Sequence, residues 1–398
     1  MIQSLLILGL VAIPFYELII YLLIPDTIMP PFRDTRLTKE YISLGFALAL
    51  GLWAFWKDGL KPVDNKWVFI FIGFSIINVT KMPNIDMPFL GMDISGFWLY
   101  KPWFIAIIYL FMLCAIAQSR LKTDLILKII GYCGVGMAGY VMLQYFGLDQ
   151  IFHRNSSPAV KSANLGGFLG QPTLVTPFLL MAIPFIKNYF LIALVVTSIL
   201  MCGSDFGLVG LGICLLACLW KKFPKARIAL VVVGTVSLLA VLFLMFHVKQ
   251  NQTPRSYLMA FSDNGRLDVW KNIITDVHKG QHVGIPYKIG TTGAGLGSFE
   301  YLFPLMHDTK FINAHNEYLE LLYNCGYVGL FIFLAAVVSF FDKVRKNINR
   351  NQVFRIGLSV FLILFCAAGS FILHLAVYQF YLVVLVGLIY QIKGERNV

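Results

Sequence analysis

The chain has 398 residues, of which 58% are hydrophobic and 13% charged, with a mean hydropathy of +0.76 and a formal net charge of +12. A soluble domain carries about 25% charged residues, so this composition excludes a soluble globular enzyme and points to a bundle of membrane-spanning helices. The 33 Gly and 16 Pro sit at ordinary frequency, which excludes a disordered chain.

Apolar windows able to cross, or nearly cross, a hydrocarbon layer of about 30 Å fall at 2–24, 40–56, 67–80, 98–117, 125–147, 172–186, 189–203, 206–220, 228–247, 316–341, 356–373 and 375–392. They predict an all-α polytopic membrane protein of about twelve transmembrane helices, because lipid tolerates only helices or closed barrels and these runs lack barrel alternation. The window at 67–80 is short and 172–203 is split only by Lys187 and Asn188, so about eleven to thirteen spans stay open. The run Ile2 to Leu23 is too long for a cleavable signal and lacks a basic leader; it is expected as a retained first span. The organisation is then spans one to nine over 1–247, one long extracytoplasmic loop over 248–315, and the last three spans over 316–398.

Alternate short loops hold 18 Lys and Arg on the N-terminal side of the membrane and 7 on the other, which predicts cytoplasmic N- and C-termini. The cluster Lys343, Arg345, Lys346, Arg350 and Arg355 is then an inside anchor; no nucleic-acid partner is implied. All seven histidines (His153, His247, His278, His282, His307, His315, His374) fall at the outer face or its edge. The seven cysteines lie within or at the ends of apolar runs, so neither a disulfide framework nor a zinc cluster is expected. Glu17, inside the first span, is a functional candidate by default or a structural residue near a kink at Pro14, the structural reading being favoured.

The long loop carries three segments with chemistry. Gly265-Arg266-Leu267-Asp268-Val269-Trp270 places an always-charged guanidinium, whose planar fork suits phosphate or diphosphate, at the start of a short helix. Gly293-Ala294-Gly295-Leu296-Gly297-Ser298-Phe299 is dense enough in glycine for backbone N–H groups to converge as in an anion nest; with no preceding strand it is not a dinucleotide fingerprint. Asn313-Ala314-His315-Asn316-Glu317-Tyr318-Leu319 opens the tenth span, with Asn313 or Asn316 able to cap it. A histidine at such an end is biased toward the neutral form that a general base requires; an interfacial residue making a capping bond is the other reading.

In this order the segments resemble the O-antigen ligase and polymerase superfamily of polytopic glycosyltransferases. The resemblance rests on Arg266 and Trp270, on Gly295 to Phe299, and on Ala314, His315, Asn316 and Leu319 followed by Gly326-Tyr327-Val328-Gly329-Leu330. Upstream, Gly166-Gly167-Phe168-Leu169-Gly170-Gln171-Pro172 is similar to the family's approach to a middle span, and Leu37 and Lys39 weakly echo its second-span start.

The resemblance implies inverting transfer of a glycan from an undecaprenyl-diphosphate carrier to a glycan, lipid A-core or protein acceptor. The reaction would take place at the periplasmic face of a bacterial inner membrane, without metal or cofactor. His315 would activate or orient the acceptor, Arg266 would hold the diphosphate, Gly295, Gly297 and Ser298 would shape the pocket, Asn316 would fix the helix start, and Lys39 would contribute from the second span. The sequence departs from the pattern at Cys202-Gly203-Ser204-Asp205-Phe206-Gly207, where Asp205 stands at the position of a second diphosphate arginine. Arg255, Arg154 or Lys161 would then substitute from loops, or Asp205 would pair with one of those cations, or activity would be altered or lost. Among reactions sharing the donor, ligation is favoured over polymerisation and protein O-glycosylation by the loop's position before the histidine span. A lipid-linked sugar transporter would carry inverted repeats and mid-membrane polar groups, and neither pattern is visible.

Overall fold

A computed structural model of the chain describes residues 1–23, 32–79, 96–149, 151, 165–223, 266–279, 282–283, 287–289, 291–307, 313–348 and 350–394. Among these the architecture is helical apart from one two-residue antiparallel pair, His282–Val283 with Tyr287–Lys288. The N-terminal helices are α1 (Ile2–Ala12), α2 (Tyr16–Leu23), α3 (Phe32–Asp58), α4 (Lys66–Val79), α5 (Gly96–Gln118), α6 (Thr123–Tyr145), α7 (Pro172–Ala182), α8 (Tyr189–Cys202) and α9 (Asp205–Lys222). Two short helices follow in the loop region, α10 (Arg266–Lys279) and α11 (Phe299–His307). The chain ends with α12 (Glu317–Lys346), α13 (Asn351–Ala367) and α14 (Ala376–Gly394).

Two of these helices, α6 and α12, are long and apolar enough to cross a membrane; several shorter apolar helices accompany them. The window at 228–247 and the loop residues 248–265 lie outside the described residues. Two boundaries differ from the apolar windows for local reasons. The first run breaks at Ile13–Phe15, around Pro14, which removes a backbone donor from the helical ladder. The run 172–203 divides where Pro184 tightens Ile183–Phe185 into a 3₁₀ turn and Asn188 caps α8 by accepting from the Phe190 N–H at 2.8 Å.

The main apolar core joins α1, α3, α5 to α9 and α12 to α14. Large apolar side chains also face outward, and a charged one is buried. Phe331 is 65% and Val338 67% exposed, whereas the Glu17 carboxylate is fully buried. Apolar side chains facing outward suit a hydrocarbon solvent. Glu17 on α2 lies 2.6 Å from Lys39 Nζ on α3, and Lys39 also donates to the Phe168 carbonyl at 2.6 Å. The Lys39 ammonium, expected at the donor, is engaged in this internal pair and is 4% exposed. The carbonyl it reaches sits in the Gly167–Leu169 turn, which is held by Gly167 N–H donating to Gln144 at 2.8 Å and by Phe168 stacked 3.9 Å from Tyr140.

Candidate functional site

The site is organised by a break in α12. Gly326 adopts φ +64° and ψ −171° inside the helix, which frees the carbonyls of Tyr323 and Asn324 from the helical ladder. The glycine run occupies the gap. Ala294 N–H donates to the Tyr323 carbonyl at 2.9 Å, Gly295 N–H to the Asn324 carbonyl at 2.8 Å, and Val328 N–H to the Thr291 carbonyl at 3.1 Å. Gly293, at φ +76°, touches Gly326 so closely that a Cβ on either would collide with backbone. The Asn324 side chain completes the splice, accepting from Ser298 Oγ at 3.0 Å and from Phe299 N–H at 2.8 Å.

Two donors of the run expected to form an anion nest are engaged within the protein. The N–H groups of Ala294 and Gly295 are donated to a broken helix, and the Ser298 hydroxyl is buried against Asn324. Gly297, half-buried at φ +83°, turns the chain into α11. The run shapes the site by holding its wall.

Helix α10 docks on α12 through Val269, Ile273 and Val277, spaced four apart and all buried, while Leu267 and Ile274 face outward. These side chains join Phe299, Phe303 and Tyr323 in a second apolar core, with the two phenylalanine rings stacked at 4.6 Å and Tyr323 edge-on to both. His307 Nε2 lies 2.7 Å from the Asp276 carboxylate, closing α11 onto α10. The loop helices are thus packed structure. Two contacts aim the start of α10: Trp270 donates its indole N–H to the Ala314 carbonyl at 2.8 Å, and Arg266 Nη1 donates to the Gly369 carbonyl at 3.5 Å.

His315 occupies the turn before α12 at φ +52°, the one left-handed non-glycine residue among those described. Such a conformation costs on the order of 1 kcal/mol and persists only where neighbours enforce it. Asn316 caps the helix, its side-chain oxygen accepting from Tyr318 and Leu319 N–H groups, both at 3.1 Å. Glu320 reaches back to accept from the Ala314 N–H at 3.1 Å, and its other oxygen lies 2.9 Å from His374 Nε2. Glu317 lies 3.2 Å from the same nitrogen and accepts from the Leu373 N–H at 2.7 Å. The turn between α13 and α14 is thereby fastened to the start of α12, and its Phe371 ring stands edge-on to His315 at 5.2 Å.

The charges follow from this packing. Burial of the His315 imidazole, followed by repulsion from Arg266, depresses its pKa to about 4 against an opposing pull from Glu320, so the ring is neutral at physiological pH. Burial works against charge on His374, but Glu320 and Glu317 override it and hold the imidazole well above its ordinary pKa, as a cation. Arg266 is half-buried, and the carboxylate of Asp205, first residue of α9, attracts it. One Asp205 oxygen is buried without a hydrogen-bond partner among the described residues.

The structure therefore brings Arg266, His315, Asn316 and Asp205 to one locality. It places Lys39 in a separate buried pair, and it makes Gly295 and Ser298 wall residues. Arg255, Arg154 and Lys161 lie outside the described residues. Asp205 attracts Arg266 itself, an arrangement that the loop cations named from the sequence did not include. Sequence reading also overlooked Glu320 and Phe371. Acids one helical turn apart at a helix start, Glu317 and Glu320, were the available signal, since that spacing puts them on one face.

Comparison with known proteins bears on the same region. The family described as O-antigen ligase matches residues 190–334, a stretch running from α8 into α12 that includes Asp205, Arg266, the glycine run, His315 and Asn316. The match supports an O-antigen ligase-like superfamily and, with it, a ligase or polymerase function of that family. No curated protein matches the chain.

Proposed function

We propose that the chain is a glycosyltransferase of about twelve membrane spans that moves a glycan from an undecaprenyl-diphosphate carrier to an acceptor at the periplasmic face, with lipid A-core as the favoured acceptor. The observation that carries this reading is the meeting of one fixed cation, Arg266, and one neutral imidazole, His315, at the outer start of α12. A diphosphate leaving group needs fixed positive charge, and a sugar hydroxyl needs a proton acceptor.

In the proposed step the acceptor oxygen attacks the anomeric carbon of the donor sugar. The bond from that carbon to the diphosphate oxygen breaks, the electron pair leaves with the lipid diphosphate against Arg266, and the hydroxyl proton passes to His315. Attack opposite the leaving group inverts the anomeric centre. The activated linkage is already present in the donor, so no nucleotide takes part.

Binding order follows from the charges. Burial, and then Arg266, depress His315 basicity. A bound diphosphate neutralises Arg266 and raises the imidazole pKa, so the base strengthens when the donor is in place. Donor turnover by purified protein, with and without lipid A-core, a second glycan chain, or a peptide acceptor, tests the reading. Transfer to the first supports ligation, transfer only to the second or third reassigns the acceptor, and no turnover with any acceptor removes the proposal.

A further inference from the structure

His315 holds a left-handed backbone conformation that is uncommon outside glycine, and groups on either side keep it there. The preceding residue, Ala314, has both backbone groups tied: its carbonyl to Trp270 and its N–H to Glu320. The His315 ring faces Phe371, from a turn whose attachment to α12 runs through Glu317 and Glu320. That same turn offers the Gly369 carbonyl to Arg266. Glu320 is common to both sides: one oxygen fixes the backbone entering His315, and the other fixes, through His374, the turn that packs on the ring. It is 4% exposed and both its oxygens are engaged.

From this geometry we infer that Glu320 is a positioning residue for His315, with His374 as the cation that clamps it. The inference rests on the proposed role of His315. Glu320 touches no substrate; it sets where the imidazole sits relative to Arg266. A buried carboxylate that loses its cationic partner is strongly disfavoured, so the His374 contact holds Glu320 in the one orientation that also reaches Ala314. Misplacing a catalytic group by about 1 Å costs on the order of 100-fold in rate.

The test uses full-length protein in detergent or nanodiscs, a short-chain polyprenyl-diphosphate oligosaccharide as donor, and a lipid A-core acceptor. Glu320→Ala, which removes both contacts, is expected to lower kcat on the order of 100-fold with donor KM held within about twofold. Glu320→Gln keeps an oxygen for the Ala314 N–H and loses the charge facing His374, so it is expected to recover about tenfold of that loss. If Glu320→Ala does not fold, Glu320→Gln and His374→Gln decide, each expected about tenfold below wild type in kcat at unchanged donor KM. Wild-type kcat in the folded Glu320 variants, or a change confined to KM, overturns the inference. His315→Ala in parallel separates this from the underlying reading. An inactive His315→Ala beside fully active Glu320 variants removes only the positioning role, whereas active His315→Ala removes the base assignment as well.

Discussion

The indole of Trp270 donates to the carbonyl of Ala314 at 2.8 Å, so the helix that begins at Arg266 is bonded to the residue immediately before His315. The proposed clamp and base are thereby linked although they stand in different parts of the sequence. Trp270→Phe keeps the ring and removes the donor, leaving a carbonyl without this partner. The expected cost is about 1–3 kcal/mol of stability, measured by thermal unfolding in detergent, together with a loss of transfer that exceeds any change in donor KM. Unaltered unfolding and kcat would show the joint to be idle.

The pH dependence follows from His315. The proposed base role needs its neutral form, and its pKa is lowered by burial first and by Arg266 second, to about 4. The sign is therefore that of a base: activity is present above that value and lost as pH falls through it. The profile of kcat/KM for the donor reports the free enzyme and is expected to have its acid limb near pH 4. The profile of kcat reports the donor-bound enzyme, and its acid limb should lie at higher pH because the diphosphate neutralises Arg266. Coincident limbs at an ordinary histidine value near 6.5 would contradict both statements.

Asp205 attracts Arg266, so under the proposed function it would compete with the donor for that guanidinium. Asp205→Asn removes the charge at nearly constant shape, and the screened attraction of such a part-exposed pair is on the order of 1 kcal/mol. Donor KM is expected to fall about fivefold, with kcat lowered less. A rise in donor KM would mean that Asp205 orients Arg266 more than it shields it.

Gly326 and Gly293 meet backbone to backbone at positive φ. Alanine at either position adds left-handed strain and a collision that no side-chain movement relieves. A loss of at least about 2 kcal/mol in stability is expected for each, visible as a lowered unfolding temperature or poor recovery from the membrane. An unchanged Tm in both variants would contradict the splice.

Lys39 and Glu17 form a buried pair. Lys39→Met leaves the Glu17 carboxylate uncompensated and is expected to cost about 3–5 kcal/mol, whereas the double variant Glu17→Gln, Lys39→Met should recover most of it. In whatever fraction folds, donor KM should equal that of wild type. A raised donor KM in a fully stable Lys39→Met protein would restore Lys39 to the donor site.

Helix positions were legible because hydrophobic runs and their breakers act locally: Pro14 and Asn188 end and start helices through their own backbone and side-chain groups. Arg266 and His315 were legible as residue types whose chemistry is specific and whose spacing matches a motif. The partners of those residues were not. The proximity of Asp205 to Arg266, the seating of Ala294 and Gly295 in a broken α12, and the bond from Glu320 to His374 depend on how separate elements pack, which no single window contains. The glycine run shows the difference well. Its density correctly signalled unusual backbone, but only the position of Gly326 shows that the freed carbonyls belong to the protein.

The most direct test of the central claim is single-turnover transfer from a polyprenyl-diphosphate glycan to lipid A-core by purified protein, comparing wild type with His315→Ala and Arg266→Gln. The account predicts transfer with release of the lipid diphosphate in wild type, loss of the chemical step in His315→Ala with donor still bound, and weakened donor binding in Arg266→Gln. Undiminished transfer by His315→Ala would contradict it.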